Sequence, residues 1–296
     1  MIMNGTNISA LFIAIFSFLN ISCVGSKSPK AYKILVTAPT IYNSRLSHLI
    51  DQTEGKIRCK AIELPMIETN LIENNTAIDS VLLHLNDYSW IALTSRNAIK
   101  AYFQRADELG LKRTDLKDQT YCAIGKDQDY LKSFGMDKVL TNKEPSPQGI
   151  VNTLKGISHT AKRIAVLCPQ VIGLTEPNVV PNFLDSLRSL KLQVTRINAY
   201  TTSIHHSEKT EKVMKELEDG SIDMIAFTSS AEVEGLLSII HEKKSILKNV
   251  NIACFGPYTR DNAIRLGLHP CLTSSNFSSF DHYVKAITNF FNKESI

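Results

Sequence analysis

Two ten-residue stretches, WIALTSRNAI (Trp90–Ile99) and MIAFTSSAEV (Met224–Val233), are near copies of one another. They are not isolated. CAIGKDQDYLKSFGMDKVLT (122–141) aligns with CFGPYTRDNAIRLGLHPCLT (254–273), and RIAVLCP (163–169) with YKILVTAP (32–39). Thr94 and Thr228, Gly125 and Gly256, Leu140 and Leu272, and Pro39 and Pro169 thus stand about 131 residues apart, a period too long for a solenoid repeat. An internal duplication of this size predicts two related domains.

Each copy alternates short, continuously apolar runs with amphipathic stretches. DMIAFTSS reads as a buried strand, and AEVEGLLSIIHEK places Val233, Leu236, Leu237 and Ile240 on one helix face. NIACFG is a second strand, TRDNAIRLG a helix closed by Gly267, and PCLTSS a third strand. Continuous apolar strands separated by helices predict a parallel sheet covered on both faces, with right-handed crossovers. The expected fold class is therefore α/β, with two doubly wound parallel-sheet domains. The strand-like segments 59–69 and 194–203 flank the repeat units, so the chain is expected to leave one domain and return to it. That places residues 31–62 plus 204–292 in a split first domain and 68–196 in a second. The two linker strands would run side by side as a hinge, with Pro65 on an edge strand.

The remaining composition narrows the function classes. A net charge of +4 with no basic block argues against nucleic-acid binding. The six cysteines (Cys23, Cys59, Cys122, Cys168, Cys254, Cys271) are single, with no CxxC, and read as reduced core thiols. The eight histidines have no ligand spacing to them, so no metal site is expected. Residues 8–22 form an apolar run with no charge before Lys27. It is short for a spanning helix and suits a signal core or an anchor, although a basic flank is missing. Residues 1–30 are set apart from the fold on that ground.

Ligands of open parallel sheets bind beyond the carboxyl ends of the strands. Those ends carry Thr94-Ser95-Arg96 and Gly125-Lys126-Asp127-Gln128 in one copy, and Thr228-Ser229-Ser230 and Gly256-Pro257-Tyr258-Thr259 in the other. Ser and Thr there are helix N-caps, each worth about 1 kcal/mol. The same helix ends offer free N–H groups and partial positive charge, so they also hold anions. Several such ends facing one cleft suit a flexible ligand with many carboxylates. Arg96, Lys126 and Arg260 are placed to meet it, whereas Glu232 and Glu234 read as surface helix residues. Neither GxGxxG nor GxxxxGK[ST] occurs. Tyr200, on the expected linker, reads either as a proton donor without charge or as aromatic packing at the hinge.

The ordered set VTAP (36–39), ELPMIET (63–69), IALTSRNAI (91–99), AIG (123–125), NAYTT (198–202), IAFTSSAEVEGLL (225–237) and FGPYTRDNAIRLGL (255–268) resembles the uroporphyrinogen-III synthase family over residues 31–290. The resemblance implies two α/β domains joined by a two-stranded β linker and a reaction without cofactor. Linear hydroxymethylbilane would lose water from its terminal hydroxymethyl group and close, through a spiro intermediate, with the last pyrrole ring inverted. It implies Tyr200 as the residue assisting departure of the hydroxyl. Thr37, Thr94, Ser95, Arg96, Gly125, Lys126, Ser229, Ser230, Gly256 and Thr259 become the expected substrate-binding residues. The implied partners are hydroxymethylbilane and the preceding pathway enzyme. The implied state is a monomer in a soluble plastid or cytoplasmic compartment.

The chain departs from that pattern at Ala38, at Gln128 and at Pro169-Gln170, and it carries an additional proline-containing loop in VIGLTEPNVVPNF (171–183). These departures keep open a non-catalytic tetrapyrrole- or anion-binding paralogue. The apolar leader and hinge keep open an exported solute-binding protein.

Overall fold

The computed structural model describes residues 31–55, 57–157, 162–241, 243–277 and 279–294. The apolar stretch 8–22 and Cys23 lie outside the described residues. No helix among those described is long and apolar enough to cross a membrane.

The strands are β1 (Ala31–Val36), β2 (Arg58–Glu63), β3 (Ile67–Leu71), β4 (Trp90–Leu93), β5 (Tyr121–Cys122), β6 (Val139–Leu140), β7 (Arg163–Ile172), β8 (Gln193–Ile204), β9 (Met224–Phe227), β10 (Asn251–Cys254) and β11 (Leu272–Thr273). They form two sheets, ordered β11-β10-β9-β1-β2 and β3-β8-β7-β4-β5-β6. All pairings are parallel except β3 with β8. Matching the repeated segments equates β9-β10-β11 with β4-β5-β6, and β1-β2 with β7-β8. Both sheets then have the same spatial order. In one the five strands are contiguous in the chain. In the other β1-β2 precede the inserted sheet and β9-β10-β11 follow it.

Side-chain alternation explains why both sheets are covered twice. In β1, Leu35 enters a core with Val213, Leu217, Val233 and Leu236 from helices on one face. Its neighbours Ile34 and Val36 enter a core with Leu46, Ile50, Tyr283 and Ile287 on the other. The second sheet repeats the arrangement. Ile91 and Leu93 pack against Ala98, Tyr102 and Phe103, and Trp90 and Ala92 pack against Ile150, Leu154 and Leu187. Strands apolar on every residue have no solvent face, which produces the unbroken runs in the sequence. Cys59, Cys122, Cys168 and Cys254 are buried free thiols, whereas Cys271 is exposed.

The connection differs in detail from the expected strand 59–69. Residues 58–63 are β2, in register with β1 from Ala31↔Arg58 to Val36↔Glu63, so this stretch belongs to a sheet and not to the linker. Pro65 sits in the break between β2 and β3. The N–H groups on either side reach back to the end of β1, Leu64 to Val36 O and Met66 to Thr37 O. Proline, with no N–H to place, fits the corner between those two bonds. β3 then pairs antiparallel with β8, from Ile67↔Ile204 to Leu71↔Tyr200. A bulge at Cys168/Pro169 lets the outer half of β7, Pro169–Ile172, run along the same ribbon.

Candidate functional site

The duplicated corners face a common space. One cavity of ≈ 360 Å³ is lined by Thr94, Ser95 and Tyr200 from one sheet and by Thr228, Ser229, Ser230, Gly256 and Thr259 from the other. Ile124, Val179, Phe183, Phe255 and Phe277 make its wall apolar. A second cavity of ≈ 470 Å³ shares Thr94, Ser95 and Thr228 with it and adds Tyr42, Arg45, Arg96, Gly125 and Lys126. The cleft thus has an apolar half and a basic half, divided at the Thr/Ser corners.

At the first corner β4 ends and Ser95 caps the helix Arg96–Glu108, its Oγ accepting the Ala98 N–H at 3.2 Å. The same hydroxyl donates to the Tyr200 phenol oxygen at 3.0 Å. Tyr200 stands on β8 and is 8% exposed. Burial pushes its phenol up to about 12, so it is neutral and holds its proton. With Ser95 already donating to the phenol oxygen, the Tyr200 proton is free to point into the cleft. A backbone N–H at a helix start, a serine hydroxyl and a phenol therefore form one polarised chain. Ser95→Ala should lower the melting temperature by the equivalent of about 1 kcal/mol through loss of the cap. Ser95→Thr, which keeps the cap, should recover the melting temperature.

The second corner is built otherwise. Thr228 and Ser229 follow β9, and the helix Ser230–Ile240 begins without a side-chain cap from Ser229. Glu232 is fully buried beneath the corner. It accepts from Thr228 N–H at 2.8 Å, Ser229 Oγ at 2.9 Å, Thr37 Oγ1 at 2.7 Å and the Thr228 hydroxyl. Burial raises its carboxyl above the usual range, opposed by these bonds. Glu234 is buried too, paired with Arg265 at 2.7 Å. Neither glutamate is the surface residue that helical spacing suggested. Acidic residues in a first turn look alike in sequence whether they face water or a cluster of hydroxyls.

Two further expectations change. Thr37 is fully buried and bonded to Glu232 and to Ala226 O, so it supports the corner from below and does not line the cleft. Ser230 lines the cleft but donates its hydroxyl to Tyr258 O at 3.2 Å. Gly125 has φ +52°, which glycine adopts without strain. A Cβ at Gly256 would lie 3.1 Å from Phe277, so its backbone forms the cavity wall. Thr259 is buried against the apolar half. Arg96 faces the basic half while paired with Asp127 at 3.4 Å and stacked over Tyr130. Arg45 and Tyr42 are site residues without a signal in the sequence. They lie on the helix Thr40–Asp51, which packing alone turns toward the cleft. Among the described residues Arg45 and Lys126 form no ion pair, and no group of three or more His, Cys, Asp or Glu can hold a metal.

Twin parallel sheets joined by a β ribbon, with their strand ends turned toward one cleft, define a two-domain α/β protein with a cavity between its duplicated halves. Residues 51–282 match the family described as uroporphyrinogen-III synthase HemD, and the chain belongs to that family. It is 24% identical over 243 residues to the porphyrin biosynthesis protein HemD of Ruminiclostridium josui, covering 80% of this chain and 44% of that relative. This chain therefore spans less than half of that protein's length. A mutant uroporphyrinogen III synthase from Thermus thermophilus superposes with a TM-score of 0.62 at 16% identity, over 89% of this chain and all of that one. At that identity the likeness concerns the fold.

Proposed function

We propose that this chain is a uroporphyrinogen-III synthase, dehydrating and cyclising hydroxymethylbilane with inversion of the last pyrrole ring. The observation that carries the reading is Tyr200. A neutral phenol, held at its oxygen by Ser95, lines the apolar half of the cleft together with both duplicated corners. Its proton goes to the terminal hydroxyl of the substrate as the C–O bond breaks and water leaves, and the phenolate regains a proton when the last pyrrole ring loses its α-hydrogen on closure. A phenol at about 12 is not acidic enough to protonate an alcohol beforehand. It acts by hydrogen bonding that strengthens as negative charge develops on the departing oxygen. The rest is positioning. A chain of four rings must be bent until its ends meet, and holding it so supplies much of the rate. The apolar half receives the ring faces, and Arg45, Arg96 and Lys126 receive the acidic side chains. One chain supplies all these groups, and we read the working unit as a monomer.

Uncatalysed closure yields isomer I, so product identity tests the reading. The full-length protein should convert hydroxymethylbilane to isomer III. Isomer I alone, at the rate without enzyme, would end the catalytic claim. A non-catalytic tetrapyrrole-binding protein is the second reading, favoured by Gln128, whose amide turns inward to Ala123 O at 3.2 Å. Product binding without turnover would select it.

The basic half makes a separate prediction. Arg45→Met with Lys126→Met should raise KM for hydroxymethylbilane about tenfold in low salt and leave kcat nearly unchanged. The difference should shrink as ionic strength passes about 0.15 M, because both groups are exposed. A steady-state series in salt would show it.

A further inference from the structure

The two repeated corners are alike in sequence and opposite in hydrogen-bonding sense. At the third residue of its helix one copy has Ala98 and the other Glu232. Where alanine stands, the serine hydroxyl accepts a hydrogen bond from the helix N–H and donates its own to Tyr200. Where glutamate stands, the protons of the Thr228 and Ser229 hydroxyls both turn inward to one carboxyl oxygen, Oε1. A hydroxyl has one proton and two lone pairs. With their protons committed, Thr228 and Ser229 present lone pairs to the cleft, which both of them line.

A proton carried by Glu232 on Oε2 leaves this unchanged. Thr37 Oγ1 is 2.7 Å from Oε2 and 3.0 Å from Ala226 O, and its single proton can serve only one of them. A proton carried by Glu232 completes that set on Oε2, and Oε1 stays an acceptor. A ligand carboxylate laid on this corner would meet two oxygen lone pairs with a protein carboxyl group behind them. An N–H donor would be welcomed there.

We propose that Thr228 and Ser229 form an acceptor edge for the N–H groups of the ligand's pyrrole rings, with Glu232 as the positioning residue that sets its polarity. The carboxylates then go to the Arg45, Arg96 and Lys126 side, and the ligand is oriented by two unlike corners. This inference rests on the tetrapyrrole reading above.

The test uses Glu232→Gln in the full-length protein. Glutamine keeps an oxygen for the Thr228 N–H, and its NH₂ has two protons for the two hydroxyls. Their own protons then turn outward, and the acceptor edge becomes a donor edge. Three probes are titrated by calorimetry: a pyrrole bearing acetate and propionate side chains, its N-methyl derivative, and benzenehexacarboxylate. The unmodified protein should prefer N–H over N-methyl about fivefold to tenfold, as expected for one or two neutral hydrogen bonds. Glu232→Gln should abolish that preference and tighten benzenehexacarboxylate by a similar factor. Thr228→Val should weaken the preference and leave the hexacarboxylate unchanged, which serves should the glutamine variant not fold. Equal affinity of the unmodified protein for both pyrroles overturns the proposal, as does a uniform loss for all three probes in a Glu232→Gln variant that melts cooperatively like the parent. The isomer assay decides turnover and this titration decides the corner, so either can fail without the other.

Discussion

Tyr200→Phe should lower kcat by about 10²–10³-fold and move KM by less than about twofold, in the range expected for removal of a positioned proton donor. The ring fills the same space, and among the described residues the phenol's hydrogen-bond partner is the Ser95 hydroxyl. That hydroxyl lines the open cleft and can turn to water, so the melting temperature should change little. Because burial holds the phenol up to about 12, kcat should stay level through pH 10, where an ordinary tyrosine loses its proton. The same shift favours the folded state below pH 10 and fades as pH rises toward 12. Stopped assays on purified protein across pH 7–10, with isomer analysis, check both statements. A Tyr200→Phe variant with unaltered kcat would remove the phenol from the mechanism.

Gly149→Ala carries the largest expected loss of stability. Gly149 lies in the first turn of the helix Pro147–Leu154, and its N–H donates to the buried cap Ser146 at 3.0 Å. An alanine Cβ there would lie 2.1 Å from Glu144 O and 3.0 Å from its carbonyl carbon. That carbonyl cannot move away freely, because it accepts the Ser146 N–H at 2.9 Å. The helix preference of alanine recovers up to about 1 kcal/mol. The overpacking costs about 3 kcal/mol, leaving a net loss of about 2 kcal/mol. This corresponds to about 3 °C for a chain of 296 residues that unfolds as one unit. The displaced segment carries Pro145 and Pro147, both on the cleft wall, so substrate binding should weaken in parallel. Gly156→Ala is the control: nothing lies within 4 Å of its Cβ position. Thermal melts of the two variants beside the parent settle the comparison. Equal midpoints would mean that the loop 142–149 yields at no cost.

The sequence alone determined the architecture, because a duplicated message is legible without coordinates. Period-2 alternation is absent where strands are covered on both faces, and the resulting apolar runs marked β4, β5, β9 and β10 together with their helices. Ser95 as a cap and Tyr200 on the strand after the second repeat were equally local, and the repeats predicted strand ends facing one cleft. Tertiary structure decided what each polar group does there. Glu232 and Arg45 both sit on helices in ordinary company. Only packing turns one into the buried floor of a corner and the other toward the cleft. Thr37 has the same chemistry as Thr94, yet it lies beneath the cleft wall because β1 runs beside β9 in the sheet. Residue type sets what a hydroxyl or a carboxyl can donate or accept; which partner uses that capacity depends on segments nearly 200 residues apart, and no local pattern records them.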